Sequence, residues 1–412
     1  MSQTETTVNF EGFDLSKLPT EQAVNALIDH IVAIGASDMF IAPGEEVTEI
    51  FMRHLGMITK VAQLEADQGK RFSTHIKVLA GMEIDEHRRP LEGRWVRQRA
   101  GGSGKVDLRI NTIPTLYGED FAVRILYRRS ELSEFEHLGL LPQQLQLLKS
   151  MLNSPSGLIL VTGPTASGKT TSLYTCLEYL NNGRRKINTI EDPIEYPLTG
   201  IRQSQVNTRL GVDFPDLLRS VLRQAPDVIM IGEIRDAITA RTAVRAAASG
   251  HLVLATAFAP VASAAVQSML AYEVHPYLLA TSLRGVIAQR LIRTLKDDCR
   301  EAVGLEPPEE MFADIAGLLP PGQKPTLYAA KGTAECPDGY GSLTGIFEVM
   351  NVTKGVRDVI SSAAAAKDVE EAAIRDDMIT FRQASLMKIA SGETTTEEIL
   401  RVVPAEFMGA DD

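Results

Sequence analysis

Gly163-Pro164-Thr165-Ala166-Ser167-Gly168-Lys169-Thr170 decides how the rest of the chain is read. An apolar run, Gly157-Leu158-Ile159-Leu160-Val161-Thr162, precedes it, and Thr171-Ser172-Leu173-Tyr174-Thr175-Cys176-Leu177 follows. The order is strand, glycine loop, helix, with the G-x-x-x-x-G-K-[ST] spacing of a P-loop. Glycines let backbone N–H groups turn inward around phosphate, and the helix start adds the positive end of its dipole. Gly163 to Thr171 are therefore expected to cradle the phosphates of ATP. Lys169 is expected to reach the β- and γ-phosphates, and Thr170 to ligate Mg²⁺.

The 412-residue length allows two or three domains, and 44% hydrophobic with 23% charged residues is the composition of an ordinary globular protein. A net charge of -11 argues against a protein that coats nucleic acid. Three cysteines, Cys176, Cys299 and Cys336, make no disulfide framework, which favours a reducing compartment. Met1 to Asp14 lacks the apolar core of a signal peptide, and no window offers about 18 uninterrupted apolar residues. The expectation is a cytoplasmic protein that meets the inner face of a membrane only through partners.

Along the chain, residues 1–20 read as a disordered tail, followed by an N-terminal α+β domain over 21–130. There Thr20 is a candidate N-cap for a helix with Val24, Leu27, Ile28, Ile31 and Val32 on one face. Asp38–Ile41, Glu49–Arg53 and Val106–Ile113 read as strands, with a helix from about Ala66 to Ala80. Residues 131–145 read as a linker. The core is placed at 146–295, with strands Leu158–Thr162, Lys186–Glu191, Val228–Gly232 and His251–Ala257 alternating with helices, the pattern of an α/β fold with a largely parallel sheet. A Pro- and Gly-rich subdomain over 296–345 and a helical C-terminal subdomain over 346–412 complete the chain.

The apolar strand Asp227–Ile231 leads into Gly232-Glu233, a Walker B-like arrangement. In a RecA-like core that strand is expected beside the P-loop strand, which aims Glu233 at the γ-phosphate to orient or deprotonate water. Glu191-Asp192-Pro193-Ile194-Glu195-Tyr196 ends another apolar run, where open α/β sheets bind ligands. Glu191 and Glu195 are candidates for positioning water or Mg²⁺.

From about residue 21 onward the chain resembles the type II secretion and type IV pilus assembly ATPases, a branch of the secretion-ATPase superfamily. The resemblance is carried by Gly163–Thr171 (Walker A), Ile190–Tyr196 (Asp box), Leu222–Asp236 (the stretch with Walker B) and Gly250–Thr256 (the start of the His box). It continues in Gly345–Val349 and Thr396–Arg401, and in Ile76–Met82 and Asp107–Thr115 of the N-terminal domain. It implies that the N-terminal domain closes on the nucleotide around the linker and supplies Arg109 and Arg124. It further implies that Arg219 and Arg223 are their counterparts in the core and that His251 senses the γ-phosphate. Guanidinium suits such a task because it stays charged and forks onto phosphate oxygens. The implied protein is an ATP-hydrolysing homo-hexamer acting on an inner-membrane platform protein, with no nucleic-acid partner.

The departures from the family concern activity. Phe258 stands where a second His-box histidine is usual, and Phe40 and Ala42 replace a usual histidine and glutamate. Phenylalanine neither donates a hydrogen bond nor relays a proton. Slow or partner-dependent hydrolysis is expected, and a low-activity regulatory paralogue or a retraction-type motor are the alternatives. The family's zinc site of two Cys-x-x-Cys pairs is reduced to Cys299 and Cys336, with Lys296 and Thr333 in the other two places. Two sulfurs do not close a tetrahedral site, so zinc is not expected. Only some 20 residues precede the closing domain, which argues against membrane docking through a further N-terminal domain.

Overall fold

The computed structural model describes residues 15–98, 104–127, 134–303, 309–319, 325–333 and 336–409. The expected tail lies outside them up to residue 14, as do 131–133 of the expected linker. The chain divides into two compact units, Met1–Glu131 and Leu132–Asp412.

Unit one holds helices α1 (Thr20–Ile34) and α2 (Ala66–Leu79) and six strands: β1 (Asp38–Pro43), β2 (Val47–His54), β3 (Met57–Glu65), β4 (Leu91–Gln98), β5 (Lys105–Thr115) and β6 (Gly118–Tyr127). They form one antiparallel sheet in the order β3-β2-β1-β6-β5-β4. Met39, Ile41, Ile50, Leu108, Ile110, Val123 and Ile125 face its core with the apolar stripe of α1. Polar residues alternate with them, as a sheet with one buried face requires. A buried ion pair, Lys77 Nζ to Glu119 at 2.6 Å, ties α2 to β6. Two expectations shift. Leu15, placed in the tail, is buried, and Thr20 opens α1 without capping it by a side-chain bond, because Pro19 holds the N-cap position.

Unit two is built on a seven-stranded sheet. Its elements begin with α3 (Pro142–Leu152), β7 (Gly157–Thr162), α4 (Lys169–Leu180), β8 (Ile187–Glu191), β9 (Arg202–Gln205), α5 (Phe214–Leu222) and β10 (Val228–Ile231). They continue with α6 (Ala237–Ala248), β11 (Leu252–Ala257), α7 (Ala262–Ala271), α8 (Pro276–Ser282) and β12 (Leu283–Leu295). After the small strands β13 (Arg300–Ala302) and β14 (Tyr328–Ala330) come β15 (Tyr340–Asn351), α9 (Lys354–Ser361), α10 (Ala366–Arg375), α11 (Phe381–Ala390) and α12 (Thr396–Val402). The large sheet runs β15-β12-β7-β11-β10-β8-β9, parallel except for β15. Leu158 and Leu160 pack with residues of α6 and α7, and Ile159 and Val161 with residues of α3 and α4. Covering on both faces is why β7, β10 and β11 read as largely apolar runs, while β8, equally buried, encloses Asn188, Thr189 and Glu191.

Three sequence expectations are corrected here. β11 lies between β10 and β7, so the Walker B-like strand is one strand removed from the P-loop strand rather than beside it. Residues 134–145 are no linker: Phe135 and Leu138 are buried against the α3 and α4 side of the core. The sheet also does not stop at 295. β15 pairs with β12 along nearly its whole length and spans the boundary expected at 345.

Glu348 on β15 is buried and accepts the backbone N–H of Ala262, at the start of α7, and of Phe381, at the start of α11, each at 3.0 Å. One carboxylate thus serves two helix N-termini. Burial nevertheless outweighs those bonds and raises its pKa from 4.5 to about 7. The folded chain then keeps a proton that the unfolded chain releases above 4.5. The stabilisation is full below 4.5 and is lost as pH rises to 7, about 3 kcal/mol at about 1.36 kcal/mol per unit. Urea unfolding at pH 5 and pH 7.5 should show the wild type losing about 2–3 kcal/mol more over that interval than Glu348→Gln, which has no proton to lose. Equal slopes would remove Glu348 from the account.

Candidate nucleotide-binding site

The loop after β7 has the backbone that its glycines permit. Gly163 sits at φ 144° and Gly168 at φ 86°. A Cβ on Gly163 would lie 2.3 Å from the Gln289 carbonyl oxygen and 2.7 Å from Ser167 Oγ. The loop therefore closes only with glycine at that position. From the neighbouring strand β12, Gln289 Nε2 donates to the Ser167 carbonyl at 2.6 Å. α4 begins at Lys169, whose Nζ donates to the carbonyls of Gly163 at 2.8 Å and Pro164 at 2.7 Å. Burial lowers the Lys169 pKa, and nearby Glu233 pulls it back up.

The acidic groups converge on the same place. Lys169, Thr170, Tyr174, Glu191, Asp192, Glu195, Glu233, Thr256 and Phe258 are among the residues lining one cavity of about 160 Å³. Glu191, at the end of β8, is buried and accepts from Thr189 Oγ1 at 2.5 Å, from Gln203 Nε2 at 3.1 Å and from Tyr174 Oη. Burial and the adjacent Glu191 carboxylate push the Tyr174 phenol pKa up, which keeps it a hydrogen-bond donor. Glu195 lines the cavity from the following turn.

Glu233 follows β10 on a turn clamped from both sides. Gly232 N donates to the Ile190 carbonyl at 2.7 Å, and Thr256 Oγ1 to the Gly232 carbonyl at 2.5 Å. Ile234 N also donates to the Thr256 carbonyl at 2.9 Å. These bonds carry Glu233 past the intervening strand β11 and into the cavity. Its Oε2 is held by the Arg235 guanidinium, which also stands 3.8 Å from Asp192. Its Oε1 is buried with no hydrogen-bond partner. A buried carboxylate oxygen without a donor is costly, and a polar ligand or water at that point would satisfy it. The glycine cradle, the Lys169 cation, the Thr170 hydroxyl and this carboxylate fit a nucleotide phosphate chain with Mg²⁺.

Other expected residues lie elsewhere. His251 precedes β11 at the far end of the sheet: its carbonyl accepts from Gly157 N, at the start of β7, and its Nδ1 faces the Ala246 carbonyl at 3.0 Å. Five residues of strand at about 3.3 Å each put it about 16 Å from the loop. The structure does not bring His251 to the cavity lining of its own chain. Arg219 pairs with Asp216 on its own helix, and both Arg219 and Arg223 are exposed. Phe214, at the start of α5, lines the cavity, but Arg223 at its end leads back toward the start of β10. Arg109 and Arg124 belong to unit one, where they are direct cross-strand partners. They stand in a row across five strands, Arg94–Arg109–Arg124–Asp38–Arg53, on one sheet face. Within unit one the row is partly neutralised: Arg94 forks onto Asp107, and Arg124 stands 3.4 Å from Asp38.

Three residues around the loop and cavity were not legible as site residues: Tyr174, Arg235 and Gln289. Arg235 alone had a sequence signal, its place two residues after Glu233. Cys299 and Cys336 are buried, with Thr333 Oγ1 3.5 Å from Cys299 Sγ and accepting from Cys336 N at 3.1 Å. Among the described residues no helix is long and apolar enough to cross a membrane, and no three His, Cys, Asp or Glu residues are grouped to hold a metal.

A family model described as type II/IV secretion system protein matches residues 14–401. The type II secretion system protein E of Xanthomonas campestris pv. campestris is 38% identical over 94% of this chain and 68% of its own length. The type IV pilus assembly ATPase PilB of Pseudomonas aeruginosa is 38% identical over 93% of this chain and 67% of its own. Among solved structures, the pilus retraction motor PilT with bound ADP aligns with a TM-score of 0.60 at 25% identity, covering 91% of this chain and 95% of that one. The cavity beside the P-loop, its acidic turns and these similarities agree: the chain belongs to the type II/IV secretion system protein family.

Proposed function

We propose that this chain is an ATP-hydrolysing motor for pseudopilus or type IV pilus assembly, with a low basal rate. The observation that carries it is Glu233 Oε1, unpartnered and buried in the cavity that Lys169 and Thr170 line. That oxygen is the acceptor that an attacking water needs for orientation. Glu191, fixed by three donors, and Glu195 support the water and metal side of the site. Lys169 and the loop N–H groups hold the phosphates, and Thr170 is the Mg²⁺ ligand on the protein. Mg²⁺ would supply charge neutralisation between the β- and γ-phosphates. Arg109 and Arg124 of unit one complete the anion's surroundings when the domains close, and Arg219 and Arg223 serve a neighbouring subunit of a homo-hexamer.

Phe258 in the cavity favours a second reading, a nucleotide-binding subunit that regulates more than it works. Phosphate release by the full chain with ATP and Mg²⁺, alone and with its inner-membrane platform protein, separates the two. A slow basal rate that the platform protein raises at least tenfold supports a motor. A rate that stays at background in both conditions supports the regulatory reading. Lys169→Ala should remove all release in either case, since without the ammonium the phosphates lose their fixed cation. Release that survives in Lys169→Ala would contradict the site.

A further inference from the structure

We infer that Phe258 caps the P-loop lysine, so that its ring and the nucleotide phosphates compete for one ammonium and the residue at 258 sets nucleotide affinity. This rests on the nucleotide reading above and concerns how that site is regulated.

Lys169 Nζ has three N–H directions. Two donate to the carbonyls of Gly163 and Pro164, folding the side chain back over its own loop. The ammonium also stands 5.3 Å from the centroid of the Phe258 ring. An ammonium within about 6 Å of an aromatic face is attracted by the ring quadrupole.

The ring is placed by its backbone. The Phe258 carbonyl accepts from Ser268 Oγ on α7 at 3.0 Å, and the next carbonyl, Ala259, accepts from Thr162 Oγ1 at 2.8 Å. The segment after β11 is thereby tied to the end of the P-loop strand and to a core helix. Phe258 itself is 53% exposed, so burial does not account for an aromatic residue there. Its defined contact is with the lysine that the chemistry uses. A γ-phosphate drawing Lys169 forward takes the ammonium from the ring as well as from the two carbonyls. That added cost makes the loop slower to fill and weaker in its hold than the same loop without the ring.

The test is equilibrium binding of AMP-PNP with Mg²⁺ to the full chain, with Phe258→Leu and Phe258→Trp compared against wild type. Leucine keeps an apolar side chain but has no quadrupole, and should bind about three- to tenfold tighter. Tryptophan, the best cation–π partner, should bind more weakly than wild type. Thermal unfolding of each protein alone checks that the fold is intact. Affinity that is flat across the series, or that shifts the same way for both variants, overturns the cap. Lys169→Ala separates the two levels of the account. If wild type binds, Lys169→Ala abolishes binding and the Phe258 series is flat, only the cap fails. If wild type shows no binding, the nucleotide reading fails with it.

Discussion

Glu233→Gln should still bind ATP and Mg²⁺ with wild-type affinity and release phosphate about 10²–10⁴-fold more slowly, the range that a positioned general base supplies. Three features motivate this. The turn bearing Glu233 is clamped by Gly232 N and Thr256 Oγ1, so the side chain is presented on a fixed backbone. Arg235 occupies one carboxylate oxygen, which leaves the other, Oε1, buried without a hydrogen-bond donor. Glutamine keeps the size and one oxygen but loses the charge, and its amide can turn a donor toward the place where the water needs an acceptor. Single-turnover and steady-state phosphate release, each beside a binding measurement, read the split directly. A variant that turns over like wild type would move the base to another residue. Glu195 is next in line, because Glu191 already accepts from three donors.

The largest stability effect is expected at Glu398, far from that chemistry. Its side chain is fully buried in α12 and bonded to two arginines. Arg293 reaches it through the backbone N–H and Nε, each at 2.9 Å, and Arg401 through Nε at 2.8 Å and Nη2 at 2.6 Å. Arg293 is itself nearly buried, 3.9 Å over the Tyr340 ring. Burial by itself would raise the Glu398 pKa, but Arg401 and Arg293 hold it below its usual value. Glu398→Ala leaves the nearly buried Arg293 with only the half-exposed Asp338 as counter-charge and unpins α12 from β12. A loss of about 3–5 kcal/mol is expected, against about 1 kcal/mol for a typical substitution. Urea unfolding followed by far-UV circular dichroism measures it. A loss below about 1 kcal/mol would show that Arg293 and Asp338, 2.9 Å apart, suffice without Glu398.

Which parts of this were legible follows from where polar residues find their partners. β7, β10 and β11 are buried on both faces, so their largely apolar runs announce them. β12 is equally central but carries Arg284, Gln289, Arg290 and Arg293, and does not read as a core strand. Each of those residues finds a hydrogen-bond partner only after folding: Arg284 at the Ser156 carbonyl, Gln289 under the P-loop, Arg290 at the Val402 carbonyl, Arg293 at Glu398. β4 hides for a related reason, since alternate residues of Leu91-Glu92-Gly93-Arg94-Trp95-Val96-Arg97-Gln98 face out. In the site, Lys169 and Thr170 were legible from the glycine-loop spacing at a helix start, and the two acidic turns from their place after β8 and β10. The Phe258 contact and the Tyr174 bond depend on packing between elements distant in sequence. His251 stays outside the cavity because it enters β11 at the end away from the loop.

The central claim is that the loop after β7 binds nucleotide through Lys169. Thermal unfolding of the full chain with and without ATP and Mg²⁺ tests it most directly, with Lys169→Ala beside wild type. At 100 times Kd a ligand that binds only the folded state adds about 2.7 kcal/mol, so the wild-type midpoint should rise by several degrees. The Lys169→Ala midpoint should not move. An unmoved wild-type midpoint at saturating nucleotide, or an equal rise in both proteins, would contradict the account.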